Sequence, residues 1–434
     1  MKRVNLSVMK NRTVAILVIG KTISMLGSNI QQFALSLYVY ITTGSATMFG
    51  IMLAISILPR LVFSPIAGVF GDWFDRKKMI VRLDFINALT LALFTGLFLM
   101  NQSLAIYQIF ILIILLEITE LFYESASAGI VPSIVQKEEI IHVKSLMSMT
   151  LNFARLLSPV MGAFLYGTFG LLIVLIINTI SFLIAAIAER FMRVPAKHQR
   201  PQSITVQAFF NDLKEGLTTI QSHPMLKSVI GLGVIINFII GPLFSVGFIV
   251  IIMDVFQSSE FQYGLFQSIL AASMIIGPLF VVSLNKRFTL ASILFYGLFI
   301  VALMVMAMAI VPSQTFTGQF QSLIVPFTIL IAFTFIIGLT ISIINVSIGT
   351  MIATTVSPSI IGRVSTVLSL LVTLTIPIGQ ITYGVLFDSF NIPLIIIGSG
   401  TALLLSVLLF KKNLLKSQVK DPQPVEAPAY DILN

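Results

Sequence analysis

Three glutamates share one stripe of a strongly apolar stretch, LLEITELFYESAS. Glu117, Glu120 and Glu124 fall at i, i+3 and i+7, one face of a helix. Three carboxylates so close in low dielectric cannot all stay ionised easily, and a carboxylate titrating in a cavity is what proton coupling requires. The same residues would equally serve as structural ion pairs, with Arg60, Arg155 and Arg76 as partners. Helical rise sets the depth of each charge from the cytoplasmic end of its segment: about 16 Å for Arg60, 13 Å for Glu117, 19 Å for Arg155, 10 Å for Lys21 and 9 Å for Asp84. Arg60 and Glu117 are matched closely enough to pair, and Asp84 with Lys21 is a second pairing. The proton-coupling candidates are Glu117, Glu120, Asp84, Arg60 and Arg155.

A second cluster, GVFGDWFDRKKMI (68–80), puts Asp72, Asp75, Arg76, Lys77 and Lys78 into seven residues of a chain that is only 10% charged. Gly68 lets its helix pack closely against a neighbour. Asp72, at a helix end, could take donors at the N-terminus of the eleventh apolar segment, near Gly362 and Arg363. Arg76 could reach Glu124. The simpler reading is a topology anchor, which needs neither Asp72 nor Gly68.

Uncharged polar residues also line up. Asn29, Gln32 and Ser36 form one stripe, Ser342, Asn345 and Gly349 a second, and Thr373, Pro377 and Gln380 a third. Such stripes serve a cavity or interhelical hydrogen bonds; Asn29, Gln32, Ser36, Asn345 and Gln380 are the substrate-cavity candidates. The 35 Phe and 18 Met suit a promiscuous pocket and lipid-facing surface alike. Other chemistry is excluded. No phosphate-binding Gly-x-x-x-x-Gly-Lys-Ser/Thr occurs, so no nucleotide cofactor is expected. Zero cysteines rule out disulfides, thiolate metal sites and thiol nucleophiles. His142, His198 and His223 are scattered through loops, no metal site is expected, and no nucleophile–base pair points to an enzyme.

These residues sit in a chain of 434 residues, 57% hydrophobic, with a mean hydropathy of +1.02. Soluble domains carry about 25% charged residues, so this is an integral membrane protein. Twelve apolar segments are long enough to cross a bilayer as helices, at approximately 14–40, 47–71, 78–100, 103–126, 142–167, 170–190, 226–253, 261–284, 289–312, 322–353, 362–387 and 391–411. The start, MKRVNLSVMKNRTVAILVIG, mimics a signal peptide, but its apolar run continues to about Tyr40 without a small-x-small cleavage site, so it reads as an uncleaved first span. Lys21, Arg60 and Arg155 lie within segments. All the other Lys and Arg residues flank even-numbered junctions or the termini, while the odd junctions (TTGSAT, MNQS, YGTFG, DVFQSSEF, PSQTFTGQFQS, DSFNIP) hold none. That asymmetry puts both termini in the cytoplasm. The net charge of +9 is thus spent on short junctions and implies no nucleic-acid partner.

The expected domains are an N-terminal six-helix bundle (1–190), a linker with an interfacial helix (191–225), a C-terminal six-helix bundle (226–411) and a disordered cytoplasmic tail (412–434). The halves repeat loosely: SPVMGAFLYG (158–167) against IPIGQITYG (376–384), VPSIV (131–135) against VSPSII (356–361). Repeated membrane halves point to a transporter with its site at the repeat interface.

GVFGDWFDRKK resembles the Gly-x-x-x-Asp-x-x-x-Arg-Lys/Arg-Lys/Arg signature of the major facilitator superfamily. The first two spans, NRTVAILVIGKTISMLGSNIQQFALSLYVYITTGSATMFGIMLAISILPRLVFSPIAG, and the SPSIIGRVS loop are similar to its macrolide-efflux and siderophore-exporter branch. The resemblance implies an all-α fold of two pseudo-symmetric six-helix bundles that rock between two poses. Gly68, Asp72, Arg76, Lys77, Glu124 and Arg363 would be the gate that latches the outward-facing state. It also implies export of a hydrophobic or amphipathic compound such as a macrolide, by proton antiport, with the proton gradient in place of a cofactor. The partners would be a small-molecule substrate and the bilayer, and the protein a monomer in a bacterial cell membrane. Export of a native siderophore or lysolipid is the alternative; a non-transporting sensor is a third. SPVMGA keeps Pro159 and Gly162 of the antiporter fifth-span pattern but has Ser158 and Ala163 for two glycines. Ser28 and Asn29 stand where relatives carry an acid after Gly27.

Overall fold

The computed structural model describes residues 6–195, 206–358 and 360–416, and among them every regular element of more than one residue is a helix. The helices longer than five residues are α1 (Arg12–Thr43), α2 (Ala46–Trp73), α3 (Arg76–Asn101), α4 (Ile106–Ile134), α5 (Lys137–Arg190), α6 (Val206–Ser222), α7 (Pro224–Val255), α8 (Glu260–Asn285), α9 (Leu290–Met308), α10 (Ile324–Thr355), α11 (Ile361–Ser389) and α12 (Ile392–Lys416). Among the described residues, eleven helices are long and apolar enough to cross a membrane. One of them, α5, has 54 residues, far more than the ~20 a bilayer needs. It breaks at Gly170, whose φ of 74° suits a residue without Cβ. Counted as two crossings, α5 makes these helices consistent with the expected twelve. The tail from 417 onward lies outside the described residues.

Backbone groups in lipid have no water to turn to, so each helix satisfies its own, and several ends carry caps. Asn11 caps α1, accepting from the Thr13 and Val14 amides, and Gly44 ends it in the left-handed region. Asp75 caps α3, accepting from the Lys78 amide at 3.1 Å. Past Pro242, α7 widens to π-helical bonding at Leu243–Gly247 and again at Ile251–Val255.

The chain forms two compact units. The first is Met1–Gly44, Met52–Ser203 and Ser259–Ser268. In it α5 packs along α1 and α3, and α3 against α4. One core joins Ala34, Leu91, Leu112 and Leu175; a second joins Leu17, Ile80, Tyr123 and Ala126. The start of α8 belongs here because Tyr263 stacks on Phe33 of α1, ring centroids 5.5 Å apart.

The second unit is Ser45–Ile51, Ile204–Ser258 and Ile269–Asn434. Its α9 packs against α10 and α12, and α11 against α6 and α7. The first turns of α2 belong to it for a specific reason. Ser45 Oγ and the amides of Ala46 and Thr47 donate to the Asp388 carboxylate at 2.7, 2.8 and 2.9 Å. Asp388, on the last turn of α11, thus supplies the N-cap of α2. Gly384, one turn earlier, makes room: a Cβ there would lie 2.7 Å from the Ala46 carbonyl oxygen. Asp388→Ala should therefore cost about 1–2 kcal/mol, the usual loss for an acidic cap. It would be seen as a lower melting temperature of the protein in detergent; an unchanged melt would remove the cap from the account. The bundle boundary expected at the linker is thus shared with two short segments, the starts of α2 and α8, each held in the other half's unit.

Candidate functional site

Two acids of the α4 stripe share one guanidinium. Arg60 on α2 forks onto Glu124, Nη1 to Oε2 at 2.9 Å and Nη2 to Oε1 at 3.3 Å, and its Nε lies 3.6 Å from Glu117 Oε2. One guanidinium so bridges acids two turns apart, which a planar fork can do and an ammonium cannot. Ser125, next to Glu124, donates to the Ala67 carbonyl at 2.7 Å and fixes α4 against α2.

Glu117 and Glu120 also border a cavity of about 60 Å³, lined by Ser28, Gln31, Gln32, Leu35, Ile113 and Phe182. It has room for a few waters and none for a drug-sized molecule, whose sites run to ~300 Å³ and more. Its wall is stiffened by a short hydrogen bond from Asn178 on α5 to Gln31 on α1, with Ser181 donating to Asn178 Oδ1 at 2.9 Å.

The basic cluster is built around α4 as well. Arg76 Nη1 donates to the Gly129 carbonyl at 2.9 Å, and a Cβ at 129 would run into the guanidinium. Lys78 Nζ lies 3.8 Å from Asp75. Glu124, expected opposite Arg76, is instead held by Arg60, because Arg76 reaches the backbone more than a turn further along α4. Lys77 is half-buried beside this seat. The surroundings of Gly68 and the side chain of Asp72 lie outside the described ones. In the second unit, Arg363 Nη1 donates to Glu215 Oε1 of α6 at 2.6 Å, tying the linker helix to α11.

The remaining candidates are dispersed. Asp84 is 1% exposed on α3. Arg155 is exposed on α5 and takes no part in the α4 ion pairs. Gln32 borders the small cavity, whereas Ser36 is buried and spends its hydroxyl on the Phe33 carbonyl of its own helix. Asn29 is half-buried and Asn345 exposed. Gln380 is buried, and its Oε1 has no hydrogen-bond partner. Ser342 bonds the Met274 carbonyl of α8 at 2.6 Å, the interhelical role.

Sequence reasoning missed Gln31, Tyr123, Glu189, Glu215 and Asp388. Glu189 had a signal: Asn178, Ser181, Ala185 and Glu189 recur every three to four residues along α5 and are all buried.

A family model described as "transmembrane secretion effector" matches residues 4–429. Macrolide efflux protein A of Streptococcus pyogenes is 24% identical over 390 residues, 89% of this chain and 92% of its own. The uncharacterized MFS-type transporter YkuC of Bacillus subtilis (strain 168) is 25% identical over 374 residues, 83% of this chain and 82% of its own. A solved structure of a bacterial homologue of the iron transporter ferroportin shares the fold, with a TM-score of 0.66 at 16% identity, covering 93% of this chain and 98% of that one. Helices of this length, ion pairs kept inside them and a family match over nearly the whole chain lead to one conclusion: the protein is a membrane transporter, not an enzyme, and belongs to the transmembrane secretion effectors of the major facilitator superfamily.

Proposed function

We propose that the protein exports hydrophobic or amphipathic small molecules, macrolide-like drugs among them, in exchange for protons. The observation that carries this reading is the Arg60–Glu117–Glu124 fork with Glu120 beside a water-sized cavity. Ionisable groups within membrane spans are expensive and earn their place by function. A carboxylate that exchanges a proton with cavity water changes its hold on Arg60, and with it the packing of α2 on α4. The likeness to macrolide efflux protein A along 89% of this chain supports the class of cargo. The basic junctions support a cell-membrane location with both termini in the cytoplasm. The Arg76 seat on Gly129, with Asp72 and Arg363, is proposed as the gate at that face, closed and opened as the bundles alternate.

The test is accumulation of radiolabelled erythromycin in a bacterial host lacking its own pumps. Cells making the protein should hold several-fold less label than control cells, and a protonophore should erase the difference. Equal accumulation across a panel of macrolides, dyes and other amphipaths would remove the drug-export reading; lowered accumulation that resists the protonophore would remove the antiport.

A further inference from the structure

Beyond Glu120, towards the basic-loop end, α1, α3, α4 and α5 close around a second set of ionisable side chains. Asp84 of α3 is 1% exposed, Glu189 on the last turn of α5 is 0% exposed and Tyr123 of α4 is 1% exposed. Tyr123 Oη donates to Glu189 Oε1 at 2.6 Å. Lys21 of α1 lies with Nζ 5.6 Å from the centroid of the Tyr123 ring.

Two atoms in this set are unpartnered. Asp84 Oδ2 and Glu189 Oε2 are both buried and have no hydrogen-bond partner. Burying a carboxylate oxygen unpaired costs heavily, and burying two on neighbouring acids costs more. The charged groups that reach Asp84 are Glu189, Glu120 and Lys21; those that reach Glu189 are Lys21 and Glu120. Fully ionised, Asp84, Glu120 and Glu189 would set three negative charges against Lys21 and a share of Arg60, which also holds Glu117 and Glu124. The balance improves with one added proton, and an O–H on either acid gives an orphan oxygen a hydrogen to offer.

We propose that Asp84 and Glu189 form a one-proton site, with Tyr123 and Lys21 holding the ionised partner. Lys21 and Arg60 both reach Glu120, so Glu120 joins the pair to the small water cavity. On release, the carboxyl O–H of the pair breaks and the proton passes by way of Glu120 to cavity water, leaving a carboxylate faced by Lys21. The site stands on its own geometry; its use as the coupling site rests on the export reading above.

Infrared difference spectra of the reconstituted full-length protein across pH test it directly. Beside any band from Glu117 and Glu120, the wild type should show a carboxylic-acid carbonyl component that disappears as pH rises, and Asp84→Asn and Glu189→Gln should each remove that component. Tyr123→Phe, which deletes a single hydroxyl, should keep the band and shift its midpoint by about one pH unit; it decides the matter if the two acid variants fail to fold. The absence of any pH-dependent component lost in Asp84→Asn and Glu189→Gln, or a midpoint of that component unmoved by Tyr123→Phe, would overturn the site. A titrating band in a protein that exports none of the drugs tested would leave the site standing and sink the export reading alone.

Discussion

Arg60→Leu should abolish efflux and lower the melting temperature of the purified protein. The wild-type guanidinium holds Glu124 at 2.9 and 3.3 Å and Glu117 at 3.6 Å. Leucine leaves both without a cation, on a stripe that already carries Glu120. Removing one partner of a buried ion pair costs about 3–5 kcal/mol; with side-chain exposures of 39% for Arg60 and 42% for Glu124, the expectation falls to about 2 kcal/mol. Arg60→Lys keeps the charge but cannot fork onto Glu124 while facing Glu117. It should recover most of the stability and little of the transport. Thermal unfolding in detergent, read beside drug accumulation in cells, separates the two effects. Wild-type behaviour of Arg60→Leu in both would show that the fork is idle.

Glu117→Gln combined with Glu120→Gln has a large functional effect and a smaller structural one. Glutamine is nearly isosteric, and Arg60 keeps its fork on Glu124, so the bundle should hold. What disappears is any carboxylate at the cavity able to exchange a proton with water. Efflux by the double variant should fall at least tenfold and lose its dependence on external pH, while binding of labelled erythromycin to the purified protein stays within a few-fold of wild type. Comparing pH profiles of efflux in wild-type and variant cells checks this. A variant with the wild-type profile would take the proton away from α4.

Depth was legible in the sequence and azimuth was not. The fixed rise of a helix places Arg60 level with Glu117, and in the structure they stand 3.6 Å apart. Nothing in the rise says which way a side chain leans, so Arg60's stronger hold on Glu124 had no sequence signal. The basic even junctions and the apolar runs mark the spans because lipid imposes them on composition. Partners distant in sequence escaped. Asp388 sits in DSFNIP, which reads as a loop, yet it is the cap of a helix that starts more than 300 positions earlier. Glu189 sits beside Arg190 at a span end, where an acid looks like surface. Glu215 looks like one polar face of an amphipathic linker helix, until α11 brings Arg363 to it.

The central claim is that export runs against protons, and reconstitution tests it with fewest intermediaries. Proteoliposomes carrying the wild-type protein and a luminal pH dye, given an inside-acid pH gradient, should accumulate erythromycin, and adding the drug should quicken the decay of that gradient. Accumulation that proceeds equally well without a pH gradient, or that leaves the luminal pH untouched, would contradict the account.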